Sequence, residues 1–137
     1  MRVLGIDFGG TRIGLAVMDS DLLAPRAKPA LAATGTLAKD AVALAREMDR
    51  EECELAVIGL PLNEGEESRM SRVCRMLGER LAEQGRRVEF ADEAMTSALA
   101  EADLAGNGLT AAGVRKRVDG EAAMRILLRW AAAREAG

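Results

Sequence analysis

Short apolar runs, each closed by glycine, proline or charged residues, predict β-strands along this chain. The first, RVLGIDF at 2–8, is almost wholly apolar and is therefore typical of a central strand. A glycine-rich link joins it to RIGLAVM at 12–18, and so short a link favours an antiparallel hairpin. Residues 22–31 contain two prolines, which suits an edge strand or an extended loop. The runs ELAVIGL at 54–60 and RVEFAD at 87–92 predict two further strands.

Between and after the later strands, the apolar spacing changes to that of helices. The predicted helices span about 36–52, 66–84, 95–105 and 119–135. Gly85 is a suitable end for the second of them, and a basic, glycine-bearing loop over 106–118 is expected before the last. A hairpin followed by alternating helices and strands predicts an α/β fold, in which a mixed sheet with parallel later strands is flanked by helices.

Composition narrows the function more than the fold. The 137 residues suit a single domain over 1–137, and no apolar run is long enough to cross a membrane, so a cytoplasmic protein is expected. The absence of histidine excludes Ser-His-Asp and Cys-His catalysis and any imidazole metal site. Cys53 and Cys74 lack metal-ligand spacing and are expected to be buried, reduced thiols.

Charge and aromatic content bear on nucleic-acid binding. The net charge of −3 argues against a broadly cationic surface. All but three of the 19 basic residues are arginine, the side chain suited to bidentate phosphate contacts, so a local binding patch is compatible with the sequence. With no tyrosine, one tryptophan and two phenylalanines, sequence reading by base stacking is poorly supported.

Several carboxylates stand at the ends of predicted elements. Asp7 lies near the end of the first strand, Asp92 and Glu93 close the strand that begins at residue 87, and Asp119 opens the predicted final helix. The carboxyl ends of parallel strands share one edge of a sheet, where open α/β folds place their ligands. Asp119 continues an apolar stripe at helical spacing and is therefore expected to point inward; the stripe is Asp119, Ala123, Ile126 and Trp130.

Each carboxylate also has a structural interpretation. Asp7 alone could brace a turn, Glu93 could be a solvated loop residue, and Asp119 could be a helix N-cap. Strand alternation sends Asp92 to the face opposite Glu93, which makes Asp92 the structural member of that pair. Taken together at converging ends, the carboxylates favour a functional site.

The donor chemistry of that site indicates its cation. Clustered carboxylates repel one another, and two divalent ions about 3.5–4 Å apart would remove that cost while activating water for phosphodiester hydrolysis. Because the ligands are oxygens, Mg²⁺ or Mn²⁺ is expected rather than Zn²⁺.

Four motifs, in this order and spacing, resemble the YqgF (RuvX) family of ribonuclease-H-like nucleases over almost the whole chain. They are GIDFGGTRIGLAV at 5–17, VIGLPLN at 57–63, ADEAMTS at 91–97 and RKRVDGEAA at 115–123. The resemblance implies a ribonuclease-H-like mixed five-stranded sheet flanked by helices. It also implies that Asp7, Glu93 and Asp119 form the metal-binding catalytic set. Arg12 of the first motif is retained, whereas Ala94 stands where the family tends to place an arginine.

Small, hydroxyl-bearing and basic residues are the candidates for contact with the nucleic-acid backbone: Gly9, Gly10, Arg12, Thr96, Ser97, Arg115, Lys116 and Arg117. The glycines would let a phosphate approach closely, although they equally suit a plain tight turn. Thr96 and Ser97 could donate to phosphate or cap a helix. The basic run over 115–117 is either a phosphate clamp or a solvated loop.

The resemblance implies metal-dependent processing of the 5′ side of precursor 16S rRNA, by a monomer or a homodimer. Resolution of four-way DNA junctions is the main enzymatic alternative, and an rRNA-binding assembly factor without activity is another. The opening GIDFGGT hairpin also suits the phosphate loop of actin-like ATPases, but those proteins need a second lobe that a chain of this length does not provide.

Overall fold

The computed structural model describes residues 1–63, 66–93 and 111–136, with the backbone alone at 63, 66–67, 111–119 and 136. The strands and helices alternate in the order that the sequence pattern predicts. In chain order they are β1 Arg2–Phe8, β2 Arg12–Asp19, β3 Arg26–Ala32, α1 Leu37–Arg50, β4 Leu55–Asn63, β5 Glu66–Glu67, α2 Arg69–Glu83, β6 Arg87–Glu93 and α3 Ala111–Ala136.

Five strands form one mixed sheet in the order β3-β2-β1-β4-β6. The pairs β1–β2 and β2–β3 are antiparallel, whereas β1–β4 and β4–β6 are parallel. The two-residue strand β5 pairs antiparallel with the end of β4. The predicted mixed five-stranded sheet is confirmed, and the proline-bearing third segment is an edge strand within the described residues, as its composition suggested.

The sheet is covered on both faces, which explains why β1 is apolar almost throughout. One cluster of buried residues joins Leu4 and Ile6 of β1 to α1 and α2, and the other joins Val3 and the alternate residues of the sheet to α3. Side chains alternate along a strand, so the odd-numbered residues of β1 face α3. Cys53 and Cys74 are buried free thiols, as predicted.

Helix α3 runs diagonally across its face of the sheet, from β3 to β6. Contacts of its successive turns mark the path: Gly120 on Ala27 of β3, Ala123 over Gly5 of β1, Ile126 over Gly59 of β4, and Trp130 Nε1 donating to Glu89 Oε1 of β6 at 2.9 Å. Glycines on both partners allow this close approach, since a Cβ on Gly5 would lie 2.7 Å from Leu127 Cγ. No helix in the described ranges is both long and apolar enough to cross a membrane.

Two boundaries predicted from sequence were wrong. The basic segment 106–118 is not a loop where the structure describes it, because α3 begins at Ala111 and Asp119 lies inside that helix. The second helix begins at Arg69, not at residue 66, because β5 occupies the residues before Ser68. The predicted short helix over 95–105 lies outside the described residues.

A cluster of ion pairs holds the amino-terminal end of β1, opposite the carboxyl edge of the sheet. This Glu51 cluster comprises Arg2, Arg26, Lys28, Glu47 and Glu51. Lys28 Nζ lies 2.7 Å from Glu51 Oε1 and 3.5 Å from Glu47 Oε2, while Arg2 Nη2 lies 3.3 Å from Glu51 Oε2. Arg26 Nη2 is 3.5 Å from the same Glu51 oxygen. The chain therefore supplies cations to both carboxylates of this cluster.

Candidate active site at the carboxyl edge of the sheet

Asp7 lies at the carboxyl end of β1, half-buried, on the face covered by α3. Its partner on β2 is Gly14, and on the other side Gly59 of β4 follows Ile58, the partner of Ile6. Because both neighbours are glycines, neither adjacent strand places a side chain of its own beside Asp7.

Glu93 lies at the corresponding end of β6, with β4 between it and β1. Its side chain is 5% exposed and crosses Gly59, because a Cβ on Gly59 would lie 2.8 Å from Glu93 Oε2. Gly59 and Asp7 belong to the same face of the sheet. The structure thus confirms that Asp7 and Glu93 share one face and one edge, which sequence alone could only suggest.

The charges of both carboxylates affect the pKa of the buried Cys74 thiol of α2. Burial is the main reason that the pKa of its thiol rises to about 12, and the negative charges of Asp7 and then Glu93 raise the pKa further. Both carboxylates therefore act on this thiol in the same direction.

Asp92 is placed as strand alternation predicted, on the face opposite Glu93. Its residue is exposed, whereas its carbonyl oxygen accepts a hydrogen bond of 2.8 Å from Arg129 Nη1. Asp92 therefore anchors α3 to β6 through its backbone and takes no part in the pair formed by Asp7 and Glu93.

Asp119 is known by its backbone position alone. It immediately precedes Gly120, which packs on Ala27, and it lies one turn before Ala123 in α3. Ala123, Ile126 and Trp130 are buried, so the inward stripe predicted for this helix is confirmed from residue 123 onward. The interpretation of Asp119 as a helix N-cap is wrong, because eight helical residues precede it.

The donor chemistry of the pair fits a hard divalent cation. Among the side chains that the structure describes, no three His, Cys, Asp or Glu residues form a group that could hold a metal ion. Glu93 nevertheless presents a carboxylate oxygen over Gly59, where a larger residue would fill the space, and Asp7 lies on the same face of the sheet. Such oxygens suit Mg²⁺ and Mn²⁺, and the chain contains no histidine to compete with them.

The residues predicted to touch nucleic acid divide into two groups. Gly9 and Gly10 form an exposed tight turn, closed by a hydrogen bond of 2.9 Å from Gly9 N to the carbonyl oxygen of Arg12, and Gly10 has a φ of +89°. Arg12 is half-buried at the start of β2. The structure describes only the helical backbone of Arg115, Lys116 and Arg117. The remaining two candidates, Thr96 and Ser97, lie outside the described residues.

Sequence reasoning missed how α2 is fixed at this edge. Ser68 caps the helix by accepting a hydrogen bond of 3.0 Å from Ser71 N, and it donates one of 2.8 Å to the carbonyl oxygen of Pro61 at the end of β4. Met70, in the first turn, lies 3.6 Å from the Cβ position of Gly10. The Ser-x-x-Ser spacing was the available signal for this capping box.

Comparison with known proteins places the chain in a family. The model of the family described as RuvX, Holliday junction resolvase, matches residues 1–133. This chain belongs to the RuvX family. A protein of Anaeromyxobacter dehalogenans (strain 2CP-C) named "Putative pre-16S rRNA nuclease" is 42% identical over 132 residues, covering 95% of this chain and 96% of the relative. A protein of the same name from Anaeromyxobacter sp. (strain Fw109-5) is 39% identical and covers 99% of this chain and 100% of the relative.

The fold has a solved counterpart. RuvC of T. thermophilus, in complex with a Holliday junction substrate, superposes with a TM-score of 0.52 at 19% identity, covering 98% of this chain and 96% of RuvC. The ribonuclease-H-like architecture implied by the sequence is therefore confirmed. As a RuvX member, the chain is a nuclease, an enzyme that hydrolyses phosphodiester bonds.

Proposed function

We propose that this nuclease cleaves the 5′ side of precursor 16S rRNA at a divalent-metal site formed by Asp7, Glu93 and Asp119. The observation that carries the proposal is the position of Glu93, whose buried carboxylate crosses Gly59 on the face of Asp7. Two carboxylates on one face and one edge of the sheet provide oxygen ligands for a bound cation. The substrate follows from the names of the near full-length relatives.

Each residue has a defined task in this proposal. Asp7 and Glu93, fixed by the ends of β1 and β6, would hold two ions of Mg²⁺ or Mn²⁺ together with Asp119 from α3. Such ions would supply activation of the attacking water and stabilisation of the leaving oxygen. The Gly9-Gly10 turn lets a phosphate approach the backbone closely beside Asp7. Further backbone contacts come from Arg12, Thr96, Ser97, Arg115, Lys116 and Arg117.

The helical conformation of 111–118 changes the form of the basic contact. Arg115, Lys116 and Arg117 belong to α3, the helix that also contains Asp119 and packs on the sheet through Gly120. A helix holds the backbone of these residues in place before the substrate binds, whereas a loop would have to order on binding. Neutralising all three should weaken substrate binding and lower its dependence on salt concentration.

A second candidate substrate is a four-way DNA junction, favoured by the description of the family model. A third, non-catalytic role would be binding of rRNA during ribosome assembly. We further propose one nuclease domain over 1–137 that acts in the cytoplasm. A monomer suits RNA trimming and a homodimer suits symmetric cutting of a junction, so the mass in solution helps to distinguish them.

One cleavage assay tests the proposal. The wild-type protein and two variants, Asp7→Asn and Asp92→Asn, are incubated with Mg²⁺ or Mn²⁺ and either a precursor 16S rRNA leader or a four-way DNA junction. Asp92 is the matched control, because it is an exposed carboxylate on the opposite face. We expect RNA cleavage that Asp7→Asn abolishes and Asp92→Asn preserves. Equal activity of Asp7→Asn and wild type would exclude the proposed site, and cutting of the junction alone would favour the second substrate.

A further inference from the structure

Glu93 and Asp7 come from strands that are not neighbours. They lie on β6 and β1, with β4 between them, and adjacent strands are about 4.8 Å apart, so the two backbones are separated by about 9.6 Å. Glu93 also pairs with Pro61, two residues beyond Gly59 on β4. The Glu93 carboxylate must therefore reach sideways and back along the sheet to approach Asp7.

Gly59 is the position that this side chain crosses. A Cβ on Gly59 would lie 2.8 Å from Glu93 Oε2, closer than carbon and oxygen atoms approach without bonding. The same Cβ would lie 2.5 Å from Ile126 Cδ1 and 2.9 Å from Ile126 Cγ1 of α3. Residue 59 is thus enclosed between the carboxylate and the helix, and both would have to shift to admit even a methyl group.

We infer that Gly59 is a positioning residue of the active site, whose missing side chain lets the Glu93 carboxylate cross β4 and join Asp7 at the same cations. This inference rests on the proposed metal site. It assigns to the second sequence motif a role in metal binding that acts through Glu93. Gly59 itself touches neither metal nor substrate in this account.

The reach of Glu93 across β4 also depends on the length of its side chain. An aspartate at 93 would keep the charge but lose one methylene of reach, and the distance across β4 would no longer be covered. Replacement by aspartate should therefore weaken metal binding although the charge is unchanged. A site that needed only negative charge near the strand end would tolerate the change.

Gly5 provides a matched control. It lies on the same face, on the neighbouring strand and under the same helix, and a Cβ there would lie 2.7 Å from Leu127 Cγ and 2.8 Å from the carbonyl oxygen of Ala123. Gly5→Ala therefore disturbs the packing of α3 about as severely as Gly59→Ala. The contacts that crowd position 5 include no carboxylate, so any effect on metal binding that is specific to Gly59→Ala comes through Glu93.

The experiment measures Mn²⁺ binding by isothermal titration calorimetry on folded, metal-free protein, with thermal unfolding recorded for each variant. Gly59→Ala should weaken Mn²⁺ binding at least about 10-fold, the size of effect seen when groups that orient metal ligands are removed. Gly5→Ala should lower the melting temperature and weaken Mn²⁺ binding clearly less than Gly59→Ala does, because it can reach the site only through α3. Equal Mn²⁺ affinity in Gly59→Ala and Gly5→Ala would overturn the inference.

Two further variants cover poor folding of Gly59→Ala. The double variant Gly59→Ala/Ile126→Ala removes the helix side of the clash and keeps the carboxylate side, so it should unfold near the temperature of Ile126→Ala yet bind Mn²⁺ weakly. Glu93→Asp tests the reach without touching the glycine, and wild-type affinity there would also contradict the inference. Glu93→Gln distinguishes failure of the proposed metal site from failure of the role of Gly59. If Glu93→Gln keeps Mn²⁺ binding, the proposed metal site is wrong. If Glu93→Gln loses Mn²⁺ binding while Gly59→Ala binds Mn²⁺ normally, only the role of Gly59 is refuted.

Discussion

Two groups of acidic side chains lie at opposite ends of the central strand β1, and a buried cysteine lies near each. Beside the Glu51 cluster, the pKa of Cys53 is raised to about 11, mainly by burial, with Arg2 and Lys28 lowering it and Glu51 raising it. Beside the carboxyl edge, the pKa of Cys74 is raised to about 12, again mainly by burial, and Asp7 and Glu93 both raise it. Charges of the first cluster both raise and lower the pKa of Cys53, whereas Asp7 and Glu93 both raise the pKa of Cys74.

Under the proposed function, the first group is a structural use of carboxylates and the second is a metal site. In the Glu51 cluster, Lys28 and two arginines contact the acids at 2.7–3.5 Å, so the strands and α1 are joined by charges that the chain itself provides. At the carboxyl edge, the backbone brings Glu93 across a glycine onto the face of Asp7. In the proposed function, the oxygens of these carboxylates are ligands for a cation from solution.

Replacing a glutamate by glutamine in each of the two acidic groups should give the largest difference in cleavage rate. Glu93→Gln should lower the rate of cleavage by more than about 100-fold, because loss of a metal ligand should exceed the 10- to 100-fold cost of losing a group that merely orients one. Glu51→Gln should leave the rate per folded molecule unchanged. Single-turnover cleavage of the RNA leader, normalised to folded protein, measures both. Comparable losses in the two variants would erase the proposed distinction.

Removing a cation from the Glu51 cluster should affect stability and not activity. Lys28 is 11% exposed and bridges Glu47 and Glu51, so Lys28→Met removes this bridge and leaves the two acids paired with arginines alone. We expect the free energy of unfolding to fall by about 2 kcal/mol, less than for a fully buried pair. Urea denaturation gives this value, and the cleavage rate below the unfolding transition should match wild type. A stability unchanged by Lys28→Met would mean that the cluster is only a surface feature.

A smaller effect is expected on the pH dependence of stability. The hydrogen bond from Lys28 is the main cause that holds the pKa of Glu51 below its usual 4.5, with a further contribution from Arg26. A depressed pKa in the folded state stabilises the protein above pH 4.5, and this stabilisation is lost as pH falls through the folded value. The stability difference between wild type and Glu51→Gln should therefore be present at pH 7 and shrink below pH 4.5. A difference that grows in acid would have the wrong sign.

Most of the fold could be predicted from the sequence because its strands are short, apolar and closed by turn residues. The glycine link after Phe8 and the prolines of β3 indicated a hairpin and an edge strand correctly. Gly85, with a φ of +80°, ends the second helical segment as expected. These features are local, so spacing along the chain was enough to find them.

Glycines are ambiguous in the sequence, because they occur both in loops and at close tertiary contacts. Gly113 was one of the glycines that suggested a loop over 106–118, yet α3 extends through it, as it does through Gly120. Residue 120 is a glycine within the helix because it packs closely on β3: a Cβ there would lie 2.7 Å from Ala27 Cβ. The position of Gly59 beneath Glu93 has the same character, since it depends on three strands and a helix coming together. Neither contact leaves a periodic trace in the sequence.

The candidate carboxylates could be identified from the sequence, but their positions relative to one another could not. Strand alternation correctly put Glu93 and Asp92 on opposite faces. That Glu93 crosses β4 could be seen only once the parallel register of β4 and β6 placed it beyond Gly59. The membership of Asp119 stays a prediction, supported by its place in α3 one turn before Ala123.

The most direct test of the account is calorimetric titration of Mn²⁺ into the metal-free protein and into two variants, Asp7→Asn and Glu51→Gln. The account predicts binding by the wild type, at least about 10-fold weaker binding by Asp7→Asn, and affinity within about twofold of wild type for Glu51→Gln. Mn²⁺ binding by Asp7→Asn as tight as that of the wild type would contradict it.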